Sequence, residues 1–193
     1  MDILSARINS LPISATLEMA AKARELKTNG IDIIGLSLGE PDFNTPEFIK
    51  DAAVQAVQDN WNSYSPVDGY ADLKTAICNK FKRDNNLDYN PTQIVVSTGA
   101  KQSIANVCMV LLNPGDEVLL PAPYWVSYSA IATLAEATSI IIPSSIETNF
   151  KITPEQLEAA ITPKTKLVMF NSPNNPSGTI YSEKEYRSLG KVL

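Results

Sequence analysis

The sequence predicts an α/β fold with a mostly parallel sheet. Two observations carry that expectation. From residue 94 onward, short apolar runs alternate with helix-length amphipathic segments. The intervals between the runs leave room for a helical crossover, which parallel strands need and a hairpin does not. The composition agrees with an ordinary globular chain: 193 residues, 44% hydrophobic and 19% charged, enough to bury a core without disulfides or metals.

The elements follow in order. Residues 14–26 read as a helix, with Leu17, Ala20, Ala21 and Leu26 as its buried positions and Gly30 as its stop. Residues 33–38 read as a short strand running into the turn Gly39-Glu40-Pro41-Asp42-Phe43. Thr45-Pro46-Glu47 has the form of a helix start: an N-cap hydroxyl, proline at the first helical position and an acid in the first turn. Phe48, Ile49, Ala52, Ala53, Ala56 and Val57 keep one apolar face of that helix. Residues 60–69 form a polar loop, and a further helix follows with Leu73, Ile77 and Phe81 inward.

Residues 94–97 read as a strand, 98–101 as a turn, and 103–112 as a helix with Ile104, Val107, Cys108 and Leu111 on one side. The turn Asn113-Pro114-Gly115-Asp116 leads to a strand at 117–120. Residues 121–125 form a rigid loop, 127–135 a helix, and 139–142 a strand. Thr153-Pro154-Glu155 opens a helix ending near Ile161, and 166–170 read as a strand. Ser182-Glu183-Lys184-Glu185 is a capping box. Its helix is expected to run through Tyr186, Leu189 and Val192 to the last residue without a C-cap, the mark of a fragment.

Charge and residue usage exclude several function classes. The net charge is −5 without a Lys/Arg cluster, so the chain lacks the footprint of a nucleic-acid binder. There is no histidine, which removes His-based triads, general bases and metal sites. Cys78 and Cys108 lie in apolar helix patterns and read as core thiols. No apolar run approaches the roughly 20 residues of a membrane helix. The N-terminus lacks a basic start and an apolar core, so no signal peptide is read there and the expected compartment is the cytoplasm.

In parallel sheets ligands bind beyond the carboxyl ends of the strands. That rule selects the loops at Gly39-Glu40, at Thr98-Gly99-Ala100-Lys101, at residues 121–125, and at "NSPNNPSGT", residues 171–179. The N–H groups of Gly99, Ala100 and Lys101 open a helix and suit a phosphate; a plain βα turn is the other reading. Trp125 offers a flat ring for a planar ligand, or covers core. Asn175 sits in so rigid a turn that its amide is aimed, either at a polar ligand group or simply to close the strand.

Taken together, "SLGEPDF" (37–43), "YSPVDG" (64–69), "STGAKQ" (97–102), "PAPYWVSY" (121–128) and "NSPNNPSGT" resemble the class I aminotransferases of pyridoxal-phosphate (PLP) fold type I, in particular the bacterial aspartate aminotransferases of subgroup Ib. The motifs stand in family order and cover the chain from about Ser14 onward. The resemblance implies a parallel sheet with helices on both faces. It implies an N-terminal arm and small-domain segment over 1–44, and the first, incomplete part of the PLP-binding large domain over 45–193.

It also implies roles. Gly99, Ala100 and Lys101 would hold the cofactor phosphate, Trp125 would stack on the pyridine ring, and Asn175 would bond the phenolic oxygen and approach the substrate α-carboxylate. Gly39 would face that carboxylate through its backbone. Tyr64 would reach the phosphate of a neighbouring subunit's cofactor, so the expected assembly is a homodimer. Lys101 would also meet the distal carboxylate of a dicarboxylic substrate, unless it is simply a solvated lysine on a helix first turn.

The implied reaction is amino transfer between aspartate and 2-oxoglutarate, with prephenate or aromatic substrates possible in the same subgroup. A C–S lyase, an aminocyclopropane-carboxylate synthase and a non-catalytic half-domain needing a partner are the alternatives on this fold. The family's Schiff-base lysine, its pyridine-pairing aspartate and its carboxylate-gripping arginine would lie beyond Leu193. The chain alone is therefore expected to be inactive, and prone to self-association or to a complementing partner.

Overall fold

The structure, a computed structural model, describes residues 3–11, 13, 15–36 and 39–193. Along the chain come α1 (Ala6–Asn9), α2 (Ala15–Thr28), α3 (Glu47–Gln58), α4 (Ala71–Asn85), α5 (Ala100–Leu111), β1 (Glu117–Pro121), α6 (Ser127–Leu134), β2 (Thr138–Ile142), α7 (Pro154–Ala160), β3 (Thr165–Val168) and α8 (Glu183–Leu189). They divide into two compact units, Ser14–Ser97 and Met1–Ile13 with Thr98–Leu193.

The second of these is the sheet unit. Its strands are ordered β2-β1-β3, and both pairings are parallel. Glu117 faces Thr138 and Pro121 faces Ile142 on one side of β1. Val118 faces Leu167 and Leu119 faces Val168 on the other, after an irregularity at Glu117. Side chains alternate across a strand. Val118 and Leu120 therefore enter a cluster with Cys108, Tyr128, Ile131 and Ala132, while Leu119 enters another with Ile142, Leu157, Tyr181 and Leu189. Helices α5 and α6 cover the first face, and α7 and α8 the second. Burial on both faces is why β1 reads as an unbroken apolar run.

Helix α8 is held from outside its own turn. Ser182 caps it, and the Glu185 carboxylate accepts the Ser182 N–H in return. Lys151 Nζ reaches both Glu185 oxygens at 2.9 Å, and the Tyr181 hydroxyl accepts the Ile152 N–H at 2.9 Å. The helix ends at Leu189 with Gly190 as its C-cap, whose N–H bonds the Tyr186 carbonyl. The expected continuation through Val192 is thus corrected: backbone turning at Gly190 closes the helix, and Val192 N–H bonds back to the Leu189 carbonyl.

In the other unit, α2, α3 and α4 form where the periodicity places them, but among that unit's described residues only Ala20, Cys78 and Ile94 are buried hydrophobic residues. Leu17 and Leu73, expected inside, are 66% and 44% exposed, and the whole apolar face of α3 lies open apart from the half-buried Ala56. Helix α3 also starts one residue late. Pro46 is extended (ψ 143°) and acts as the N-cap through its carbonyl, and Thr45 makes no side-chain cap.

Two expected strands are absent. Residues 33–36 and 94–97 are not in any sheet, and Ser37 and Leu38 lie outside the described residues, as does Ser14. A strand exists only where a neighbour takes its N–H and C=O groups. For 94–97 the described residues supply one such bond, Val96 N–H to the Asp68 carbonyl at 3.1 Å. That bond draws Gly69 so close that a Cβ there would lie 2.6 Å from Val96, and its φ of +102° also demands glycine.

The two cysteines are buried free thiols, as expected of core residues, and burial pushes the Cys108 thiol up. Among the described residues no helix is long and apolar enough to cross a membrane, and no group of three or more His, Cys, Asp or Glu is placed to hold a metal.

The Ser182 N–H and the Lys151 ammonium hold the Glu185 carboxyl down from 4.5 to about 2. A folded value below the unfolded one means the unfolded chain binds the extra proton. The stabilisation is then complete above 4.5 and lost as pH falls toward 2. Urea titrations between pH 6 and pH 3 should show a falling midpoint that is less steep in Glu185→Gln; parallel curves for the two proteins would refute the assignment.

Candidate functional site

In the sheet unit the strand order sets the ligand crevice expected of such folds at the carboxyl ends of β1 and β3. After β1 the chain turns into α6 on one face, and after β3 it proceeds to α8 on the other. Adjacent strands whose connections part in this way leave a gap above the sheet edge. The two loops that border the gap are residues 121–126 and 171–180.

Helix α5 brings in a third wall. It begins at Ala100, three residues earlier than the periodicity predicts, so Ala100 and Lys101 lie in its first turn. Its N-cap, Gly99, has φ 86° and ψ 165°, a conformation essentially confined to glycine. The Gln102 side chain accepts the Thr98 N–H and clamps the turn. Early helical N–H groups have no intrahelical acceptor. Among the described residues those of Gly99, Ala100 and Lys101 bond nothing else, and a Cβ on Gly99 would meet nothing within 4 Å. The cradle is open and carries the positive end of the helix dipole.

Lys101 Nζ sits 5.1 Å from the centre of the Trp125 ring. It forms no ion pair with a carboxylate among the described residues. Trp125 is half-buried. Its ring meets Tyr128 edge-on at 5.6 Å and packs against the α5–α6 core, while the other part stays accessible. Pro123, two residues earlier, follows a cis peptide bond, as do Pro173 and Pro176 in the opposite loop.

The three asparagines of the 171–179 turn have different fates. Asn171 donates to the Pro173 carbonyl at 2.8 Å and accepts the Asn175 N–H at 3.5 Å. Asn174 accepts from Ser177 N–H and Oγ at 3.1 and 2.8 Å and donates across the gap to the Pro123 carbonyl at 3.1 Å. Asn175 is exposed, and its carboxamide has no hydrogen-bond partner among the described residues. Two amides build the turn and the third is left free to bind.

Of the sequence-predicted residues, Gly99, Ala100, Lys101, Trp125 and Asn175 all belong to the sheet unit. Gly39 and Tyr64 belong to the other unit. There, the Tyr64 side chain is wholly exposed and Gly39 has open space around its α-carbon. Sequence reading gave no role to Gln102 or Asn174. For Gln102 a signal existed, since glutamine three residues after an N-cap commonly reaches back. Asn174 carries no comparable signal, because its partner is 51 positions away.

The parallel sheet sandwiched by helices, with its crevice above β1 and β3, is the fold of the aspartate aminotransferases. The crystal structure of the aspartate aminotransferase from Rhizobium meliloti aligns with a TM-score of 0.94 at 46% identity, covering 98% of this chain and 48% of that one. The Thermus thermophilus enzyme with maleate aligns at 0.96 and 39%, covering 100% and 50%. The chain belongs to the aminotransferase class I and II family, whose model matches residues 31–193. It is 51% identical to the aspartate/prephenate aminotransferase of Nitrosomonas europaea over 190 residues, 98% of this chain and 48% of that protein. The chain thus spans about half the length of the curated relatives it matches. Aspartate aminotransferases of this family depend on pyridoxal phosphate, and the donor set fits that group: an open amide cradle beside a lysine for a phosphate, an aromatic ring for a pyridine and a free amide for an oxygen substituent.

Gly99→Ala should cost about 1–3 kcal/mol, because an L-residue is strained at this φ and ψ although space is available. A urea midpoint unchanged from wild type would show that the turn is not held in this conformation.

Proposed function

We propose that this chain carries the phosphate- and ring-binding half of a PLP-dependent aminotransferase, acting on aspartate and 2-oxoglutarate. The observation that carries the reading is Lys101, at the unbonded start of α5, set 5.1 Å from the Trp125 ring, together with the Asn174-to-Pro123 bond that joins the Trp125 loop to the loop of the unpartnered Asn175 amide.

In this reading the first-turn amides of α5 hold the phosphate. The Trp125 ring stacks on the pyridine, excludes water from one side and limits tilt. Asn175 donates to the phenolic oxygen and approaches the substrate α-carboxylate. The cofactor, when bound, supplies the electron sink for bond cleavage at the amino-acid α-carbon. Gly39 meets the α-carboxylate through its backbone, and Tyr64 reaches the cofactor phosphate of a second subunit in a homodimer. Both residues are exposed.

An acidic substrate is favoured by Lys101, whose charge is free to meet a second carboxylate. It is also favoured by relatives named for aspartate and by the solved relative with maleate, a dicarboxylate. The division into an arm with small-domain segment over 1–44 and large-domain part over 45–193 belongs to the same proposal, as does a cytoplasmic location. In this reading the covalent lysine and the α-carboxylate arginine stand in the half of the relatives that this chain does not span, and residues 1–193 by themselves bind cofactor without turning over substrate.

The test adds PLP to the chain alone, and to the chain continued into the second half of the Nitrosomonas europaea relative. Both should quench Trp125 fluorescence, and the continued chain alone should consume aspartate in a 2-oxoglutarate-dependent manner. Turnover by the short chain, or no quenching in either, would sink the assignment.

A further inference from the structure

We propose that Asn174 is a positioning residue: its carboxamide sets the distance between the Trp125 ring and the Asn175 amide. This deepens the cofactor reading above and rests on it. The strand ladder fixes where the two loops begin, its last rung being Met169 N–H to the Leu119 carbonyl at 3.0 Å. Beyond that rung the backbones part, one into residues 121–126 and the other into 171–180. Among the described residues one hydrogen bond spans these two loops, from Asn174 Nδ2 to the Pro123 carbonyl at 3.1 Å. Pro123 lies two residues before Trp125, and Asn174 immediately precedes Asn175.

The other half of the same side chain faces inward. Asn174 Oδ1 accepts the Ser177 N–H at 3.1 Å and Oγ at 2.8 Å. Its backbone is pinned as well, donating to the Thr179 carbonyl at 2.8 Å and accepting the Gly178 N–H at 2.7 Å. The position therefore needs one short planar group that donates outward and accepts inward, and asparagine supplies both on a single rigid amide. Aspartate keeps the size and the inward acceptors but cannot donate to Pro123. Alanine loses both without adding charge. Ser177→Ala removes one inward bond and leaves the bridge.

The bridge is tested in the chain carrying Trp61→Phe, which leaves Trp125 as its one tryptophan. Two quantities are read: the emission of Trp125 without cofactor, and the PLP dissociation constant from its quenching. Asn174→Asp and Asn174→Ala should both move the cofactor-free emission and weaken PLP on the order of tenfold, the worth of about one hydrogen bond. Ser177→Ala should leave both near the parent values, and equal thermal midpoints for the variants would exclude a general loss of fold. Wild-type emission and affinity in Asn174→Ala overturn the proposal, because any effect of Asn174→Asp is then charge repulsion. Emission shifts confined to the two Asn174 variants in a chain that binds no PLP would uphold the bridge and refute the cofactor reading instead.

Discussion

Strand β1 is paired along both edges and packed on both faces, and the site takes its position from that arrangement. Val118, Leu119 and Leu120 are all fully buried. Period-two alternation sends Leu119 into one core and its neighbours into the other, so a single strand joins α5–α6 to α7–α8. Loss of one such leucine would leave a cavity that close packing cannot collapse around, a cost of about 2–5 kcal/mol. The loops after β1 and β3 begin at fixed heights because these strands cannot slide past each other.

On that base the site is assembled from groups that the fold leaves unsatisfied. Helix α5 opens with amides that its own geometry cannot bond, and Gly99 turns the chain so that they face outward. The 171–179 turn spends two of its asparagines on itself and on Pro123, and leaves the third open. Lys101 finds a ring in place of a carboxylate. The α5 amides and the Asn175 carboxamide are polar groups for which folding gives no hydrogen-bond partner among the described residues, and with Lys101 and Trp125 they suit the ligand proposed above: an anion, a flat ring and an acceptor between them.

Much of this was legible in the sequence, for identifiable reasons. The strand at 117–121 and the helix caps at Thr153 and Ser182 follow from local chemistry, apolar runs and hydroxyl-to-amide bonds, which do not depend on distant partners. What failed was what depends on neighbours. Residues 33–36 and 94–97 have strand composition, but sheet membership needs an adjacent edge, and Val95 remains 66% exposed. Leu17 and Leu73 stay 66% and 44% exposed on apolar faces that are only partly covered among the described residues. The candidate site residues were named from loop motifs, whose pattern is local to each turn. Asn174 was passed over beside Asn175, since no local rule distinguishes an amide that bonds 51 residues away from one that bonds nothing.

The central claim is that the α5 amides, Trp125 and Asn175 face one ligand. Backbone and side-chain amide resonances of the chain, followed as PLP is added, test it most directly. The N–H signals of Gly99, Ala100 and Lys101, the Trp125 indole and the Asn175 carboxamide should shift together with one affinity, while those of Asn171 stay in place. Shifts centred elsewhere, or separate affinities for the helix amides and Asn175, would contradict it.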